Sequence, residues 1–157
     1  MTFRYTRQPL HLATARRCAD YFIDHITTQG DPADSIPLWD FSFPGSQTLN
    51  YRDASAGAIA ASAFVELASF IDVGAAASRY RDAAARILAS LNEQYVGSFD
   101  VTQGILLHSA GANPQWSPSN FNVSLVYAGY YALEAIARIA KVKESSTFAR
   151  GGELGNR

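Results

Sequence analysis

Four alanine-rich segments carry apolar residues at helical spacing, and this repetition constrains the fold more than any other feature of the chain. The first runs from about Leu10 to Ile26, with Leu12, Ala15, Ala19, Phe22 and Ile26 recurring every three or four residues. The second begins near Asp53 or Ser55, either of them a good N-cap, and aligns Ile59, Ala63, Leu67 and Phe70 on one stripe. The third starts after Gly74 and carries Tyr80, Ala84, Ile87, Leu88, Leu91 and Tyr95. The fourth covers about Ser124 to Lys143, with Tyr130, Leu133, Ala137 and Ala140 on one face and Lys141 and Lys143 well placed near its negative C-terminal end. Alanine favours helix and lets neighbouring backbones approach closely.

The connections are very unequal. Only Asp72-Val73-Gly74 separates the second and third segments, as in an antiparallel helical hairpin. The span from Gln29 to Arg52 is long and holds three of the six prolines, and the span from Tyr95 to Val123 holds two more. Loops this long are uncommon in compact domains unless they are functional or disordered, and the Trp, Phe and Tyr in both argue against plain disorder. Gly104-Ile-Leu-Leu-His108 suits a short strand or turn, but the pattern supports no sheet. From Glu144 onward the chain reads as a frayed tail, so the expected organisation is a helical domain over 4–143 and a flexible tail over 144–157. Periodicity alone fits a helical toroid and a plain four-helix bundle equally well.

Composition excludes several classes of function. With 13 Lys and Arg against 14 Asp and Glu, dispersed along the chain, there is no footprint for nucleic acid or an anionic membrane. A hydrophobic fraction of 48% is that of an ordinary globular protein. No apolar run approaches the roughly 20 residues that span a bilayer. The first residues carry positive charge without an apolar core behind it, so no signal peptide is expected and the default location is cytoplasmic. A leader on a longer parent stays open. Cys18 is the single cysteine, which rules out an internal disulfide and a cysteine-based zinc site.

The candidate chemistry lies in the long loops. Trp39-Asp40-Phe41 puts a carboxylate between aromatic rings, suited to stacking on a sugar and accepting hydrogen bonds from its hydroxyls. It suits equally a loop whose rings plug the helical stack while Asp40 bonds a turn. Asp53 is either a second active-site carboxylate paired with Asp40 or an N-cap balanced by Arg52. His108 is a candidate ligand or general base, or else a hydrogen-bonded structural residue, whereas His11 and His25 read as surface residues. Trp116-Ser117-Pro118-Ser119-Asn120 sets hydroxyls and an amide beside a ring, either for a sugar or to satisfy the loop's own backbone. Asn122-Val-Ser124 fits the glycosylation pattern, which a secretory route alone would make relevant. No dinucleotide, phosphate-loop, zinc-protease or serine-hydrolase motif occurs.

In order and spacing, these segments resemble the C-terminal part of glycoside hydrolase family 88, the unsaturated glucuronyl hydrolases. The likeness covers about residues 4 to 140. It rests on Cys18-Ala-Asp-Tyr-Phe-Ile-Asp-His25, Ile36-Pro-Leu-Trp-Asp-Phe41, Arg52-Asp-Ala-Ser-Ala-Gly-Ala-Ile-Ala-Ala-Ser62, Gly104-Ile-Leu-Leu-His108 and Val126-Tyr-Ala-Gly-Tyr-Tyr-Ala-Leu-Glu-Ala135. The related unsaturated rhamnogalacturonyl hydrolases share the fold. The resemblance implies an all-α, incomplete (α/α)6 barrel of antiparallel helical hairpins. The implied parent reaction adds water across the C4=C5 bond of an unsaturated uronic acid at the non-reducing end of lyase-derived oligosaccharides. It uses an aspartic acid as acid/base and needs no metal or organic cofactor.

The departures are informative. Both key aspartates of the family precede the region matching Tyr5, and none of Asp20, Asp24, Asp40 or Asp53 matches one of them. Near the last helix the family's acidic residues are replaced by Asn122-Val123 and Ala128-Gly129-Tyr130. Ser117 and Ser119 fall near a loop that can contact the far side of the substrate. The resemblance thus implies a piece that is inactive by itself, with no catalytic residue of its own. Trp39, Asp40, His108, Trp116, Ser117 and Ser119 remain as substrate-binding candidates. The alternatives are a noncatalytic helical binding or assembly module, self-associating through an exposed helical edge, and a self-contained enzyme using Asp40, Asp53 or His108.

Overall fold

A computed structural model describes residues 2–28, 33–41, 51–98, 100, 103–112 and 117–151. A short helix α1 (Thr2–Thr6) turns at Arg7, whose φ of 54° is left-handed, into α2 (Pro9–Thr28). Then follow α3 (Ala54–Ala68), α4 (Ala75–Ser90), a wide π turn over Leu91–Tyr95, and α5 (Val126–Gly151). Fold class agrees with the helical expectation. Two corrections concern detail. A small antiparallel ladder does form, pairing β1 (Ser109–Ala110) with β2 (Phe121–Val123). The last helix also continues past Lys143 to Gly151, into the segment expected to fray.

Helix α3 is the centre of the packing. It lies against α4 on one side and α5 on another, and Ala54, Ala58, Ala61 and Ala68 are almost wholly buried. Small side chains let these backbones approach, and Phe64, Val65, Tyr80, Ile87 and Leu91 fill the remaining space. Gly57 shows how tight the fit is, since a Cβ there would lie 3.0 Å from Ile36 Cδ1. Because burial surrounds most of α3, the expected stripe marks its open side: Ile59 and Ala63 are exposed and only Leu67 is buried.

The face of α5 is the reverse of the one its sequence suggests. Ala128, Ala132 and Ala135 meet the core, while Tyr130, Leu133, Ala137 and Ala140 face outward. The largest apolar residues mark a core face only where the partner helix stands far enough away; here close approach selects alanine. Helices α3 and α5 run parallel, since Glu134 bonds Ser62 and Arg138 reaches both Ser62 and Glu66. Their N-termini therefore share one end of the molecule, where the long loops gather.

Candidate functional site

The loop end is built on backbone pairing. Residues 33–41 lie along 51–53 through Trp39 N to Tyr51 O at 3.0 Å and Asp53 N to Pro37 O at 2.9 Å. The second loop is drawn in by Leu107 N to Tyr95 O at 2.8 Å, Ala54 N to His108 O at 3.1 Å and Gly111 N to Asn120 O at 2.8 Å.

Two carboxylates hold this arrangement. Asp53 caps α3: its Oδ1 accepts from Ser55 N at 2.9 Å, Ser55 Oγ at 2.6 Å and Ala110 N at 3.1 Å. It thus joins the helix start to β1, with its negative charge at the positive end of the helix. Asp34, which the sequence did not single out, is buried and accepts from Ile36 N at 3.0 Å, Tyr95 Oη at 2.7 Å and Arg52 Nε at 2.8 Å. Arg52 also donates to Ile36 O. Arg52 thus pairs with Asp34 and not, as expected, with Asp53. Burial, and then the hydrogen bond to Asp34, push the Tyr95 phenol above its usual range.

Above these groups lies a pocket of about 340 Å³, lined by Tyr51, Arg52, Gln94, Tyr95, His108, Phe121 and Asn122. His108 and Asn122 both adopt left-handed backbone, each with φ of 58°, and their side chains join, Nδ1 to Oδ1, at 2.5 Å. Non-glycine residues seldom hold this conformation, and such strain clusters at binding sites. Tyr51 and Trp39 both stand edge-on to Phe121, at 4.5 and 6.1 Å between ring centres. Convergent polar groups beside aromatic rings suit a sugar.

Of the binding candidates, His108 lines this pocket and Trp39 borders it through Phe121. Asp40 lies half-buried on the first loop outside the lining. Ser117 accepts from Asn120 N and Nδ2, both at 3.0 Å, and so braces its own turn; Ser119 is exposed on that turn. Trp116 falls outside the described residues. Tyr51, Gln94, Tyr95, Phe121 and Asn122 were not legible as a group, because strand pairing and the π turn bring them together from distant positions. The described residues contain no cluster of His, Cys, Asp or Glu able to hold a metal ion.

A curated protein of Formosa agariphila named unsaturated glucuronyl hydrolase is 36% identical over 142 residues, covering 88% of this chain and 32% of its own length. A crystal structure of an unsaturated glucuronyl hydrolase specific for heparin superposes with a TM-score of 0.78 at 33% identity, covering 90% of this chain and 36% of that one. The chain is homologous to the unsaturated glucuronyl hydrolases over about a third of their length. Those structures are α/α barrels, so the helices here are part of such a barrel. A variant of the Streptococcus agalactiae unsaturated glucuronyl hydrolase, 26% identical with a TM-score of 0.74 and matched over 88% of this chain and 35% of its own, was crystallised with the disaccharide dGlcA-GalNAc6S. No family model matches the chain.

Proposed function

We propose that this chain supplies one wall of an unsaturated glucuronyl hydrolase barrel and part of its sugar-binding mouth, and that it does not turn substrate over alone. The reaction of such a hydrolase protonates C4 of the unsaturated uronide and adds the hydroxyl of water at C5. It therefore needs a carboxyl group that can both give and take a proton. The observation carrying the proposal is the state of Asp53. It stands nearest the loop end, yet its Oδ1 accepts two backbone amides and a hydroxyl, all of which favour the ionised form and a structural role. Asp34 is tied to Arg52, Tyr95 and Ile36 N in the same way. His108, Asn122, Tyr51 and Arg52 are left to contact the sugar and its carboxylate.

Incubation with an unsaturated disaccharide, followed by the ultraviolet absorbance of its conjugated enol ether, tests the proposal. The absorbance should persist with this chain alone. Its decay, abolished in Asp53→Asn but not in a stability-matched control, would refute the structural role of Asp53.

A further inference from the structure

The largest hollow in the described structure is not at the loop end. It is a groove of about 820 Å³ along the open flank of α3, walled by α2 and closed at its far end by α1. Its surface is apolar and made largely of small side chains, including Ala15, Ala56, Ile59, Ala60 and Ala63. This flank already accepts a helix, because α1 sets Phe3 edge-on to Phe70 at 5.3 Å and Arg4 on Glu66 at 2.8 Å. On the opposite side of the molecule, Val126, Tyr130, Leu133, Ala137 and Ala140 form an exposed ridge along α5 that carries no charge. Monomers seldom leave two such faces open.

The two faces match. The ridge rises about 21 Å from Val126 to Ala140, and the fifteen residues of α3 rise about 22 Å. Within the chain, α5 already lies parallel to α3 on alanine contacts, and the groove presents the same kind of surface on the other flank of α3. A contact between unlike faces passes from copy to copy and terminates only if it closes into a ring. The barrels this chain matches are closed, and it spans 36% of one of them, so three copies supply the helices of one ring.

We propose that the chain assembles head to tail with copies of itself. The α5 ridge of one copy lies in the α2–α3 groove of the next, and three copies close the ring. This deepens the reading of the chain as a barrel wall and rests on its fold, not on the absence of turnover.

Sedimentation equilibrium tests it, with an expected mass three times the 17.0 kDa of the chain. Leu133→Glu on the ridge and Ile59→Glu in the groove, both at exposed positions, should each yield monomers with unchanged helical circular dichroism. Mixed together they should form a one-to-one dimer, since one variant keeps its groove and the other its ridge. Cys18 lines the groove, so its alkylation in the unmodified chain should slow as protein concentration rises; this readout needs no variant. A monodisperse monomer, a dimer that both variants leave intact, a mixture that stays monomeric, or alkylation independent of concentration would each overturn the assembly. An assembled chain that turns substrate over alone would overturn the proposed function instead, leaving the assembly standing.

Discussion

Arg138 on α5 lies 2.9 Å from Glu66 on α3, and the same guanidinium donates to Ser62 O and Ser62 Oγ, each at 2.8 Å. Glu134, one turn back, also meets it at 3.1 Å, so one cation ties together two carboxylates and a backbone carbonyl. Alanine contacts set how closely the two helices approach, and this cluster sets their register.

Removing the cation should therefore cost more than removing a surface ion pair. Arg138→Met leaves the sheltered Glu66 with Arg4 as its remaining ion-pair partner among the described residues, and should lower unfolding stability by about 3 kcal/mol. Glu66→Gln in the Arg138→Met background should restore part of that loss. Urea denaturation of the four proteins gives the coupling. Strict additivity would show that the pair does not hold the helices in register.

Asp53→Ala removes an N-cap together with the acceptor for Ala110 N, so two backbone groups lose a partner. The expected loss is about 2 kcal/mol. Asp53→Asn keeps an acceptor oxygen and should lose less than half as much. Hydrogen exchange should locate the damage in the first turn of α3 and in β1. An effect confined to sugar binding, with stability intact, would contradict the capping role.

The helices were legible because their cause is local: alanine, apolar spacing and the Asp53 cap all lie within each segment. Which face of α5 is buried was not legible. Tyr130 and Leu133 outweigh Ala128 and Ala132 on any hydropathy scale, yet the distance to α3 decides, and no local pattern encodes that distance. The site divides in the same way. His108 stood out as a lone titratable group in a loop, whereas Asp34 looked like any polar loop residue until folding set it between Arg52 and Tyr95. The ladder of β1 and β2 escaped notice because strands of two and three residues carry too little alternation to show a period.

Tyr95 gives the fold an alkaline limit. Burial and the bond to Asp34 raise its folded pKa above the unfolded value of 10.0, so its protonated form is favoured in the native state. Its contribution is complete below that value and disappears as pH climbs toward the raised folded pKa. Stability should fall by up to about 1.4 kcal/mol per pH unit in that window. Tyr95→Phe should flatten this slope while costing a hydrogen bond at neutral pH. Guanidinium titrations at several pH values above 10 would decide, and an unchanged slope would remove Tyr95 as its source.

His108 separates binding from stability most cleanly. Its left-handed backbone costs roughly 1–2 kcal/mol relative to glycine, and its ring hydrogen bond to Asn122 returns part of that. His108→Gly should therefore leave unfolding stability within about 1 kcal/mol of the original, or raise it. The same change strips a polar wall from the pocket beside Tyr51 and Arg52. If the strain is retained for a ligand, titration calorimetry with an unsaturated disaccharide should show weaker binding to His108→Gly than to a Ser119→Ala control on the neighbouring exposed turn. Equal affinity for both variants, together with a loss of stability in His108→Gly, would make the histidine a bracing residue and move the sugar away from this pocket.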